Sequence, residues 1–169
     1  MAVSELLLFR HGKSDWGADA DDAQRPLNRR GEESARLMGR MIASADRVPD
    51  LVLSSPARRA RLTADLAAEA GGWPSPIIED ERLCPGSPRQ IVQAVRERAA
   101  GIDRVMVVGH EPALSQTASL LLGGASLRMA TAAVACVAVE GWEALGPEAG
   151  TLLWMVVPRL FPDRRAPSP

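Results

Sequence analysis

Lysine is almost absent from this chain. Lys13 is the only one, and arginine supplies the rest of the 20 positive side chains among 169 residues. Arginine abundance therefore marks no site, and each arginine has to be argued from its position. Cysteine is also scarce. Cys84 and Cys136 lie far apart and match no metal spacing, which excludes a disulfide scaffold and reads as two reduced, packed thiols. No apolar run approaches the ~20 residues of a membrane span, and the N-terminus lacks the basic-then-apolar order of a signal peptide. The net charge is −1, so there is no bulk basic field to hold nucleic acid or an anionic membrane. These absences lead to the expectation of a cytoplasmic protein with neither kind of partner.

What is present is ordinary. Hydrophobic residues make up 46% and charged residues 24%, and 169 residues can enclose one core. One domain is expected over 1–161. Residues 162–169, "PDRRAPSP", have nothing to bury and read as a disordered tail.

Between those limits strands and helices alternate. Residues 3–9 are a continuous apolar run with the length of a buried strand. From Gly31 to about Ala45 the period changes, with Met38, Met41, Ile42 and Ala45 on one helical face. "DLVLSS" (50–55) is a second strand, and 56–70 is a second helix on Thr63, Leu66, Ala67 and Ala70. Residues 76–78 form a short third strand, and about 89–100 a third helix on Ile91, Val92, Val95 and Ala99. "RVMVVG" (104–109) is a fourth strand, and 112–122 a fourth helix. Two further strands, 134–140 and 151–158, have no helix between them and read as an antiparallel pair. The pattern predicts a three-layer α/β/α sandwich: a mainly parallel central sheet with a C-terminal antiparallel strand pair.

In such sheets ligands sit beyond the carboxyl ends of the strands. After the first strand comes Arg10-His11-Gly12, after the second "SSPARRARLT", and after the fourth "GHEP". Both histidines thus fall at strand ends. Ser55 fits an N-cap of the second helix and Pro56 its first turn, and Pro112 fits the start of the fourth. Arg58, Arg59 and Arg61 occupy the opening turns of the second helix, where the helix dipole disfavours cations. Three there point to at least one arginine aimed at an anion. The histidines do not read as metal ligands, because only Glu111 accompanies His110 and neighbouring strand-end side chains diverge.

The residues themselves say more. "LLLFRHGKSDW" resembles the R-H-G signature of the histidine phosphatase superfamily. "SPARRARLTA" resembles its S-P-x-x-R-A-x-x-T segment, and "VVGHEP" its second-histidine segment. "RPLNRRGEESARLMG" (25–39) is similar to a stretch of the small SixA-like branch, the phosphohistidine phosphatases. The four matches occur in family order from residue 3 to about 122. The resemblance implies that His11 is the nucleophile that takes the phosphoryl group. Arg10 and Arg59 would clamp its oxygens, and His110 would complete the pocket. It implies no metal and no cofactor.

Larger relatives carry a carboxylate general acid, often as L-x-E after the third strand. Here Leu83 is followed by Cys84 and Pro85, so a proline stands at the expected position. Glu81 is the remaining candidate general acid. A positioned acid contributes roughly 10²–10⁴ in rate, and an alkoxide leaving group needs it far more than an imidazole whose pKa is about 6.5. The expected function is therefore removal of phosphoryl groups from phosphohistidine on a signalling or phosphocarrier protein. The alternatives are a small-molecule phosphomonoesterase acting on a small phosphorylated substrate, or a non-catalytic phosphate-binding module.

Overall fold

In the computed structural model, which describes residues 3–161, six strands and four α-helices follow one another in the expected order. They are β1 (Ser4–Arg10), α1 (Arg29–Ser44), β2 (Leu51–Ser54), α2 (Arg58–Gly71), β3 (Ile77–Glu79), α3 (Pro88–Arg98), β4 (Arg104–Gly109), α4 (Ala113–Leu121), β5 (Val134–Val139) and β6 (Gly150–Val156). Residues 162–169, read from the sequence as a tail, lie outside the described residues.

The strands form one sheet in the order β3-β2-β4-β1-β5-β6. The first four run parallel, β5 is antiparallel to β1, and β6 is antiparallel to β5. β1 is central, which explains its unbroken apolar run. Leu6 and Leu8 face the cluster under α3 and α4, while Leu7 and Phe9 face the cluster under α1 and α2. A strand with period two that is covered on both faces must be apolar at every position. Each of these side chains contributes about 1.5–3 kcal/mol by leaving water.

The helices depart from the sequence reading in detail. Asn28 caps α1 by accepting from the Gly31 amide at 2.8 Å. The helix buries Ala35, Met38, Gly39 and Ile42, whereas Ala45, expected on that face, is its exposed C-cap. α2 begins two residues later than the pattern predicts. Its buried face is Ala60, Thr63, Ala64 and Ala67, not the expected Leu66 and Ala70. The reason is a close helix crossing. A Cβ at Gly39 would come within 2.0 Å of the Ala67 carbonyl oxygen, so small residues and not leucine define the contact between α1 and α2.

Candidate active site

β2, β4 and β1 are neighbours in the sheet, so the segments that follow them emerge side by side. The His11 amide donates to the Gly109 carbonyl at 3.1 Å, and the Ser55 amide donates to the Val108 carbonyl at 2.9 Å. A cavity of about 630 Å³ opens at these strand ends, and Arg10, His11, Arg59 and His110 all line it. The two imidazole centroids are 5.1 Å apart.

His11 is oriented by its own backbone. Its Nδ1 lies 2.7 Å from the Gly12 carbonyl oxygen, an acceptor only, so Nδ1 carries the proton and Nε2 keeps its lone pair. Gly12 is required for a close approach, since a Cβ there would stand 2.6 Å from the Gly31 carbonyl oxygen at the start of α1. The Gly12 amide donates to Thr63 Oγ1 at 3.0 Å, and Thr63 in turn donates to the Arg59 carbonyl at 2.7 Å. Thr63 thus ties the histidine loop to the helix that carries the arginine. Burial, reinforced by His110, Arg59 and Arg10, lowers the His11 pKa from 6.5 to about 4, against the pull of its bond to Gly12. Its ring is neutral at physiological pH.

His110 is 6% exposed and equally constrained. Its Nε2 lies 2.7 Å from Ser55 Oγ, and its Nδ1 receives a long 3.5 Å contact from Arg59 Nη2. Arginine can only donate, so Nδ1 accepts and Nε2–H donates to Ser55. Burial first, then Arg59 and Arg10, lower its pKa to about 4, with Asp22 opposing. Ser55 is therefore not the N-cap of α2. Ala57 holds that position without a side-chain cap bond, and the Ser55 hydroxyl serves the Ala57 amide and His110 instead. A buried imidazole nitrogen needs a partner, and the turn at Ser55-Pro56 supplies one.

The arginines divide as the motif register implies. Arg59 is buried and reaches the cavity. Its Nη1 donates to the Asp22 carbonyl at 2.6 Å and its Nη2 to the Asp22 carboxylate at 3.2 Å. Burial works against the Asp22 anion, but Arg59 and Arg25 hold its pKa below the usual carboxylate range. Arg58 points outward to the Gln24 carbonyl, and Arg61 pairs with Asp65 and Glu79. Arg10 Nη1 donates to the Met129 carbonyl at 2.7 Å, and its buried Nε has no partner among the described residues. Two guanidiniums and two oriented imidazoles line one cavity, a donor set whose chemistry suits a tetrahedral oxyanion.

Glu81 is not brought to this place. It is exposed in the 3₁₀ turn Glu81–Leu83 and does not line the cavity, whereas Cys84 and Pro85 do. The lining carboxylates are Asp22 and Glu111, and Glu111 Oε1 accepts from the Ser115 amide of α4 at 2.9 Å. Sequence reasoning assigned no site role to Ser55, Thr63 or Asp22. The first two stand within the S-P-x-x-R-A-x-x-T segment, which is the signal that could have found them. Asp22 sits in a polar loop that carries no periodic signal.

Fold and cavity together define an α/β protein with a histidine–arginine cavity at the carboxyl ends of the parallel strands of its sheet. A family model for the histidine phosphatase superfamily (branch 1) matches residues 6–84. The Rv1276c protein of Mycobacterium tuberculosis is 32% identical over 162 residues, which cover 89% of this chain and 100% of that one. Among solved structures, a SixA protein from Nakamurella multipartitia superposes with a TM-score of 0.83 at 25% identity, covering 94% of this chain and 98% of that one. The protein histidine phosphatase SixA complexed with tungstate superposes with a TM-score of 0.81 at 26% identity, covering 92% and 98%. The chain belongs to the histidine phosphatase superfamily, and its fold is that of the SixA phosphohistidine phosphatases.

Proposed function

We propose that this chain is a metal-independent phosphohistidine phosphatase acting through a covalent phosphohistidine on His11. In the first step the Nε2 lone pair of His11 attacks phosphorus, and the N–P bond to the substrate breaks with its electron pair leaving on the departing nitrogen; the other nitrogen of that ring carries a proton, so neutral imidazole departs. Arg10 and Arg59 neutralise the charge spread over the transferring oxygens. Binding of the dianion favours uptake of a proton from solvent by His110 Nδ1, which then gives up its long contact with Arg59 and donates to a phosphoryl oxygen. In the second step water attacks phosphorus, and inorganic phosphate and neutral His11 are released.

The observation that carries the reading is the pairing of a neutral, correctly oriented His11 with a cavity whose carboxylates are already engaged. Asp22 is held ionised by two arginines, and Glu111 is bonded to the start of α4. Such a site supports a leaving group that departs without strong acid assistance. Exchange between two imidazoles is nearly balanced, whereas expulsion of an alkoxide is not. All four pocket residues are present together, which disfavours a binding module without turnover.

One feature favours the ester reading: two carboxylates do line the cavity. The test compares wild type, Glu81→Gln and Glu111→Gln on histidine-phosphorylated carrier domains, an aryl phosphate and an alkyl phosphate. Fast phosphohistidine and aryl turnover, negligible alkyl turnover and variants within about twofold of wild type are expected. Alkyl turnover that collapses by about 10²-fold or more in either variant overturns the proposal in favour of a phosphomonoesterase.

A further inference from the structure

The cavity carries more positive charge than the transferred group uses. Its lining holds five cations, Arg10, Lys13, Arg25, Arg30 and Arg59, against two carboxylates, Asp22 and Glu111. That leaves three positive charges concentrated in one opening of a chain whose net charge is −1. Arg10 and Arg59 lie deep and face the phosphoryl position. Lys13 and Arg30 are exposed at the mouth and make no ion pair among the described residues.

Between these cations stands Trp16, 77% exposed, with the Arg25 guanidinium 3.7 Å from its ring centroid. Arg25 also pairs with Asp22 at 2.8 Å. The loop is fastened at its base by the Ser14–Leu27 bridge, the Asp15 amide on the Pro26 carbonyl at 2.9 Å and the Asn28 amide on the Lys13 carbonyl at 2.9 Å. The rim is therefore formed before anything binds. A solvated charged face has no use for an exposed indole stacked on arginine. Tryptophan and arginine are the side chains that dominate protein docking sites, and stacking fixes both at low entropic cost.

We propose that Lys13, Trp16, Arg25 and Arg30 form a docking surface for an acidic patch that flanks the phosphohistidine of a protein substrate. The proposal rests on the phosphohistidine reading and deepens it. The partner is recognised by charge: carboxylates beside the phosphohistidine meet Lys13 and Arg30, and an apolar or aliphatic neighbour covers the free face of Trp16. The contacts lie at an exposed rim, so they act mainly on encounter and KM and weaken with salt.

Two synthetic peptides test it, each phosphorylated with phosphoramidate on a central histidine, one flanked by glutamates and the other by glutamines. Wild type should prefer the glutamate peptide by about tenfold in kcat/KM at low ionic strength, through KM. In Lys13→Ala/Arg30→Ala the preference should shrink to about twofold or less. Because each ratio is internal to one enzyme, a partly folded variant does not distort it. Equal rates of wild type on the two peptides, or a preference that survives in the variant, overturn the docking surface alone. Hydrolysis of an aryl phosphate with neither peptide turned over refutes the phosphohistidine reading and takes the docking surface with it. A rim-dependent preference confined to small substrates with a second phosphate or carboxylate would assign the rim to a small molecule instead.

Discussion

The floor and the rim of the cavity are built on different principles. On the floor, the histidines and the threonine beside them are fixed by short buried bonds to one another's segments. His11 is held by Gly12, Gly12 by Thr63, Thr63 by Arg59, and His110 by Ser55. At the rim, position depends on exposed contacts, with Arg25 on Trp16 and Asp22 spanning Arg25 and Arg59. Buried bonds in a low-dielectric site are stiff and costly to break, whereas exposed ion pairs contribute ~0–1 kcal/mol and yield to salt. The floor is suited to chemistry and the rim to recognition.

The largest effect should come from the centre of the floor. His11→Ala should lose about 10³-fold or more of turnover while keeping its circular dichroism spectrum. In wild type an acid-quenched reaction should trap label as an acid-labile, base-stable phosphoramidate that the variant lacks. Full activity in a folded variant would remove the distinction between the two regions.

Next in size is the contrast between adjacent arginines. Arg59→Ala should cost about 10²-fold or more in kcat/KM, the loss of one charge-assisted clamp and its bond to His110. Arg58→Ala should stay within about twofold, since that side chain points away to the Gln24 carbonyl. Comparable losses at the two would put the clamp in the wrong register.

The floor should also show itself in stability against pH. Both histidines have folded pKa values of about 4, below the ordinary 6.5. The unfolded chain therefore binds their protons more readily between those values, and stability falls as pH drops from about 6.5 toward 4. The contribution is constant above about pH 7. Across that window each buried neutral ring removes up to about 1.4 kcal/mol for every pH unit of acidification. Urea midpoints measured from pH 7.5 to 4.5 should fall, and the fall should be smaller in His110→Gln. A flat profile would mean that the imidazoles are not buried as neutral rings.

The smallest effect tests the joint between β2 and α2. Ser55→Ala should lose about tenfold in kcat with little change in KM, because His110 loses the acceptor that orients it. Ser55→Thr should recover part of that loss. A variant with lower stability and unchanged kcat would return Ser55 to a purely structural role.

Much of this arrangement is legible without the fold. The unbroken apolar run of β1 and period 3.6 in α1 set element type, and alternation of strands with helices sets the parallel sheet. Strand ends then locate Arg10, His11 and His110, and the motif register separates Arg59 from Arg58. Less legible is which face α2 buries, because a Gly39–Ala67 crossing favours alanine over leucine and hydrophobicity alone does not register close approach. Ser55 reads as an N-cap because serine before proline and a helix usually is one.

By itself, then, the sequence determined the order of elements, the family and the four histidines and arginines that meet in one cavity, since local periodicity and short motifs are encoded in neighbouring positions. Only the tertiary structure decided that Glu81 faces solvent, that Ser55 serves His110, that Asp22 rests on Arg59, and that Lys13, Trp16, Arg25 and Arg30 share one rim. Those are relations between segments distant in the chain. They depend on the register in which β2, β4 and β1 pair and on how the loop before α1 folds back over their ends, and no local pattern carries that information.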